Sequence, residues 1–80
     1  MEIETLIGRL DEIISRGGTP ASMADAYFQR GKLYWKAGRR GEAMSDYARA
    51  EELDPGSPAA EALAQARAIM QFYNKDLYNP

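Results

Sequence analysis

Between Gln29 and Arg40 the chain carries Arg30, Lys32, Lys36, Arg39 and Arg40 and no acid. A run of this kind has the chemistry to hold an anion, whether carboxylate or phosphate. The same spacing has a structural reading. Lys36, Arg39 and Arg40 fall around the end of a helix, where cations oppose the negative end of the helix dipole. Acids pair at Asp11-Glu12 and at Glu51-Glu52, with Asp54 close behind. Adjacent helical residues point about 100° apart, so neither pair forms a ready carboxylate cage for a metal ion. His and Cys are absent. The usual general base, the thiol nucleophile, thiolate metal ligands and disulfides are therefore missing. Of the hydroxyls Thr5, Ser15, Thr19, Ser22, Ser45 and Ser57, two (Ser22 and Ser57) read as helix caps. Gly17-Gly18 and Gly38-x2-Gly41 lack the strand–loop–helix setting of a phosphate-binding loop. No catalysis, cofactor or metal is expected.

The elements that must carry these side chains are limited by size. A chain of 80 residues is one small domain, and so short a chain buries only about 60% of its unfolded surface. With 45% hydrophobic and 28% charged residues the composition is that of a folded globular protein. A net charge of −2 gives no overall field toward nucleic acid or an anionic membrane. Glu2 and Glu4 do not suit the n-region of a signal peptide, and no apolar run approaches the ~18 residues of a membrane span. A cytoplasmic protein is the expectation.

Four helical segments are predicted, and no strand. The first has Ile3, Leu6, Ile7, Leu10, Ile13 and Ile14 at helical spacing, with Gly17-Gly18 as its stop. The second begins at Ser22, where Ser22-x2-Asp25 approximates a capping box, and ends near Ala37-Gly38. It is apolar on two sides, with Asp25, Gln29, Lys32 and Lys36 as a narrow polar strip, so it should be contacted from both. The third runs from about Gly41 to Leu53 and stops at Asp54-Pro55-Gly56. The fourth opens at Ser57-Pro58, with Ala62, Leu63, Ala66, Ile69, Met70 and Tyr73 as its buried stripe. Asp76 to Pro80 should fold back or fray. Short connections make consecutive helices antiparallel. The boundaries expected within a single domain, 1–80, are 2–16, 22–55 and 57–76.

The middle of the chain carries small and aromatic residues in a set order. Tyr27, Gly31 and Tyr34 are followed by Ala43, Tyr47, Ala50 and Pro55. This arrangement resembles the tetratricopeptide repeat, whose ~34-residue pattern is W-x2-L-G-x2-Y…A-x3-F…P. The resemblance covers about Ala24 to Ser57. Gly31, Ala43 and Ala50 let two helices approach closely, and the tyrosines fill the space around the crossing. Arg30 stands where the family usually has Leu, and Glu51 where it often has Leu or Ile. Arg30 and Glu51 either pair across the hairpin or are each solvated. One period forward, Glu61, Gln65 and Ala68 fail the motif; one period back, Arg9 fails it. The terminal helices therefore read as caps on a single repeat.

The resemblance implies an all-α fold and a protein–protein interaction module. It maps the partner-binding face to Asp25, Phe28, Lys32, Trp35 and Lys36. Aromatics flanking a lysine there would hold an extended peptide with an acidic or C-terminal carboxylate group. Alternatively, Phe28 and Trp35 pack under the N-terminal helix or in a dimer. Arrays usually need at least three repeats to bury a continuous core. A homodimer is therefore expected, formed through the Phe28/Trp35 face or by exchange of a terminal helix about Gly17-Gly18. Weak anion or nucleic-acid binding by the Arg30–Arg40 patch is the alternative function.

Overall fold

In the computed structural model, residues 2–78 are described, with side chains through residue 72. The fold is all-α, with helices α1 (Glu2–Arg16), α2 (Pro20–Lys36), α3 (Arg40–Leu53) and α4 (Ala59–Tyr78). Helix α2 packs against α1 on one side and α3 on the other, and α4 packs against α3. The expectation for the last five residues falls on Asn79 and Pro80, outside the described residues, and on Asp76 to Tyr78, where α4 continues.

Local chemistry sets the ends of these helices. Helix α2 starts two residues ahead of Ser22, because Thr19 is the better-placed cap. The Thr19 Oγ1 accepts from the Ser22 N–H at 3.1 Å and Pro20 takes the first helical position, where its missing N–H is not needed. Ser22 is thus a first-turn residue whose hydroxyl donates back to the Thr19 carbonyl at 3.1 Å. Loss of the cap in Thr19→Ala should lower stability by about 1 kcal/mol in a denaturant titration. At the other end Gly38 takes φ +83°. Its N–H donates to the Trp35 carbonyl at 3.1 Å, and the Arg39 N–H donates to the Tyr34 carbonyl at 2.8 Å. These are the two bonds of a Schellman close, which favours glycine at the left-handed position. Helix α4 begins at Ala59, with the Ser57 Oγ accepting from the Ala59 N–H at 3.3 Å. Pro58 sits just outside the helix, its carbonyl accepting from Ala62.

The interior is small. The chain is a slab of 45 × 32 × 15 Å, too thin to enclose large side chains on all sides. Its most fully buried hydrophobic residues are Ala24, Ala43, Ala50 and Ala59. Ala24, Ala50 and Ala59 form one cluster with Tyr27, Phe28 and Leu53 around it, where α2, α3 and α4 converge. The second cluster joins Ile7 of α1 to Tyr34, Ala43, Tyr47, Leu63 and Ala66. Gly31 completes the crossing of α2 and α3: a Cβ there would lie 2.8 Å from the Tyr47 ring and 3.2 Å from the Ala43 carbonyl oxygen. The helices meet that closely only because the position has no side chain.

Two expected stripes are only partly covered. Along α1 only Ile7 is buried, while Leu6 and Ile13 remain 43% and 46% exposed. A single helical neighbour covers a narrower arc than six apolar residues span. On α4, Leu63 and Ala66 are buried but Ile69 is 40% exposed, and Tyr73 lies beyond the described side chains.

Candidate interaction site

The run of cations between Gln29 and Arg40 does not form one patch. Arg30 is drawn inward. Its Nε and Nη2 donate to Asp46 Oδ2 and Oδ1 of α3, each at 2.8 Å, and its Nη1 donates to Asp11 Oδ1 of α1, also at 2.8 Å. The guanidinium also lies over the rings of Tyr27 and Tyr34, at 5.3 and 5.5 Å from their centroids. Its side chain is 18% exposed and that of Asp46 only 6%. The hydrogen bonds to Asp46 hold the guanidinium above its ordinary pKa, with burial opposing them. Arg30 therefore ties α1, α2 and α3 together and is committed to two carboxylates.

The expected pairing of Arg30 with Glu51 is not what forms. Gly31 would meet the Tyr47 ring, and Arg30, one residue earlier on α2, reaches Asp46, the neighbour of Tyr47 on α3. Glu51 lies more than a turn further along α3 and stays half-buried, outside this network. The sequence does not single out Asp46: facing positions on an antiparallel hairpin keep a constant sum, which from Gly31 and Tyr47 leads Arg30 to Ala48, and only the reach of the guanidinium brings it to Asp46.

Arg39 turns to Glu42, donating from Nε and Nη2 at 2.6 and 2.7 Å, and covers the outer face of Tyr34 at 4.7 Å. The Arg39 hydrogen bond holds the Glu42 carboxyl below its usual value. Both groups are exposed, so solvent screens the pair. Arg40 lies over the Trp35 ring at 5.3 Å.

The five expected face residues separate into two groups. Phe28 and Trp35 are partly buried against the main cluster, with the Phe28 and Tyr47 rings 5.8 Å apart. Trp35 borders a small cavity of about 150 Å³ shared with Tyr47, Ala62, Ala66 and Ile69. The two rings thus reach toward α3 and α4, within a cluster that also takes in Ile7 of α1. Asp25, Lys32 and Lys36 are exposed on α2. Asp25 accepts from Gln29 Nε2 at a long 3.5 Å, and Lys32 Nζ sits 5.2 Å above the Phe28 ring. Lys32 and Lys36 instead border a cavity of about 400 Å³ between α1 and α2, together with Gln29 and Leu33 of α2 and Leu6, Arg9 and Leu10 of α1.

The tyrosines in this region carry a pH dependence. Burial pushes Tyr47 above its ordinary value of 10.0, with Asp46 adding to the shift. Tyr34 moves the same way, again chiefly by burial, while Arg30 opposes it. A raised folded-state value means that the fold favours the neutral phenol. That stabilisation is complete below pH 10 and is lost as pH rises through the folded-state value. Unfolding free energy should be level between pH 8 and about 9.5 and fall above 10. Tyr47→Phe should flatten that fall in denaturant titrations across this range.

Among the described residues no three acids, histidines or cysteines lie close enough to hold a metal ion. No described helix is long and apolar enough to cross a membrane.

The hairpin of α2 and α3, closed on Gly31 and ended by the Asp54-Pro55 turn, is the architecture of a helical repeat. The tetratricopeptide repeat pattern matches residues 24–57. The solution NMR structure of Bacteroides fragilis protein BF1650 is similar over nearly the whole chain. It shares 34% sequence identity and a TM-score of 0.76, covering 98% of this chain and 86% of that one. No curated protein matches. The chain belongs to the tetratricopeptide repeat family. Repeats of this family generally mediate protein–protein interaction.

Proposed function

We propose that this chain is a protein-interaction module that receives a segment of a partner protein along the exposed strip of α2, from Asp25 to Lys36. The observation that supports this most is the orientation of Lys32 and Lys36. They project beside a preformed cavity bordered by a second helix, while the neighbouring Arg30 and Arg39 are occupied by carboxylates. Phe28 and Trp35 act mainly from behind, stiffening the strip by packing on the core and leaving only part of their rings for a partner. The intact hairpin fixes the side chains before a partner arrives, which lowers the ordering cost of association.

The test is a photo-crosslinking amino acid placed at Lys36 and, in a second protein, at Arg67 on α4. A partner captured from position 36 and not from 67, and lost in Lys32→Glu/Lys36→Glu with an unchanged melting curve, supports the reading. Equal capture from both positions overturns it.

Self-association is a second reading, favoured by the exposure of Leu6 and Ile13 on α1 and of Ile69 and Phe72 on α4. A second copy would cover these residues, either side by side or by exchange of α1 about Gly17-Gly18. Sedimentation that stays monomeric well above micromolar concentration removes it.

The anion-binding alternative needs the Arg30–Arg40 run to act together, and Arg30 and Arg39 already have carboxylate partners. It loses most of its motivation.

A further inference from the structure

We infer that copies of this chain associate head to tail, α1 of one copy lying along α4 of the next. This rests on the self-association reading and names the two surfaces that meet.

The first argument is where apolar surface is left. Among the described residues the large hydrophobics that stay exposed are Leu6 and Ile13 on α1 and Ile69 and Phe72 on α4. The two inner helices leave none. Helix α1 packs on α2 and α4 on α3, so each end helix is covered from one side.

The second argument is the order of the elements. The repeat pattern matches residues 24–57, which makes α2 a first helix and α3 a second. By the same alternation α1 stands in the place of a second helix and α4 in that of a first. Helix α4 of one copy followed by α1 of the next restores the alternation, and α2 of that next copy continues it. The lengths agree as well. The junction would join helices of 20 and 15 residues, and the hairpin within the chain joins helices of 17 and 14. A heterologous contact of this kind leaves an uncovered helix at each end, so further copies can add.

The third argument is complementarity. Glu2, Leu6, Arg9, Ile13 and Arg16 recur at steps of three and four along α1, and Glu61, Gln65, Ile69 and Phe72 along α4, all of them exposed. Laid antiparallel with Leu6 against Phe72, the strips set Ile13 beside Gln65 and within a turn of Ile69. Arg16 then comes level with Glu61 of the other copy. The spans match: Leu6 to Arg16 is roughly 15 Å and Glu61 to Phe72 roughly 16 Å along their helices. The symmetric alternative, α1 against α1, sets Leu6 against Ile13 but crowds Arg9 beside Arg9 of the second copy, and like charges across an interface are repelled. It also leaves Ile69 and Phe72 uncovered. One helix pair, ~22 Å long, is a small junction, so the association belongs to the weak class below ~1,200 Å².

The test is sedimentation velocity on the full chain and two variants, Leu6→Glu/Ile13→Glu and Ile69→Glu/Phe72→Glu, each checked for fold by circular dichroism. The unsubstituted chain is expected to grow past the dimer as its concentration rises well above micromolar. Each variant alone should stay monomeric. Their equimolar mixture should form a one-to-one dimer and nothing larger, since one intact α1 and one intact α4 remain between them. Arg16→Glu should weaken growth several-fold, and Arg16→Glu/Glu61→Arg should restore it. This exchange of exposed charges decides the matter by itself if either double variant fails to fold. An unsubstituted chain that stays monomeric overturns the inference together with the self-association reading. Growth that levels off at a dimer, a dimer formed by either variant alone, or no rescue by Glu61→Arg overturns the head-to-tail contact and leaves self-association standing.

Discussion

Arg30→Met should lower the stability of the folded chain by about 3 kcal/mol, read as a shift in the denaturant midpoint with an unchanged slope. Removing one partner of a buried ion pair leaves the other uncompensated, at a usual cost of ~3–5 kcal/mol. The lower end applies because the Arg30 side chain is still 18% exposed. Asp46 would then sit almost fully buried with its bidentate partner gone. Met keeps the apolar stem that packs beside Tyr27 and Tyr34, so the loss reports on charge and hydrogen bonding, not on volume. Helix α1 should feel the change as well, because Arg30 also holds Asp11. Its amides should exchange faster than in the unsubstituted chain, since local opening follows the contacts that are lost.

Replacing both partners by apolar side chains removes the penalty. In Arg30→Leu/Asp46→Leu no charge is buried and no donor is orphaned, and such replacements are often neutral or stabilising. The double variant should therefore recover most of what either single change loses, with a coupling of at least about 1 kcal/mol. Additive losses in the double variant would mean that the two side chains act independently.

The second large effect is expected at Gly31. Gly31→Leu places atoms where the Tyr47 ring and the Ala43 carbonyl already stand, with the first added carbon 2.8 Å from the ring. Overpacking of this kind costs about 1–3 kcal/mol, and the backbone oxygen at 3.2 Å cannot swing aside as a side chain can. We expect about 3 kcal/mol, against a total stability of roughly 4–12 kcal/mol for a domain of this size. Better helix propensity returns under about 1 kcal/mol. Gly41→Ala is the control. A Cβ there meets nothing within 4 Å, so the same loss of a glycine should be neutral or stabilising by up to about 1 kcal/mol. Tyr47→Ala combined with Gly31→Leu should be less harmful than the sum of the two, since the added leucine fills space that the ring vacates.

The core of the hairpin was legible because small residues have few reasons to be conspicuous. Gly31, Ala43 and Ala50 fall at positions where two helices can cross only without bulk, and the structure puts a tyrosine ring against Gly31. The stops were legible for a similar reason. Gly17 and Gly38 take positive φ, which side chains resist. The start of α2 was less so, because Thr19 and Ser22 are both competent caps and only the register of the first turn chooses between them.

The proposed face shows the opposite case. Phe28, Lys32 and Trp35 share a helical face in sequence, but periodicity does not say which neighbour covers which side. The neighbouring helices turned the aromatics toward α3 and α4 and left the lysines beside α1. Arg9, Leu6 and Leu10 carry no motif that links them to Lys36; they border the same cavity only because α1 packs antiparallel along α2.

By itself the sequence determined the elements and the crossing. Helical periodicity, glycine stops and the absence of bulk at Gly31 are local properties, carried by each residue's own conformational preferences and size. The tertiary structure alone decided where the charges went. A guanidinium reaches carboxylates sixteen and nineteen residues away, so its partner is set by distance in space. Arg30 was thereby withdrawn into the frame, and Lys32 and Lys36 were left at the surface with Arg9.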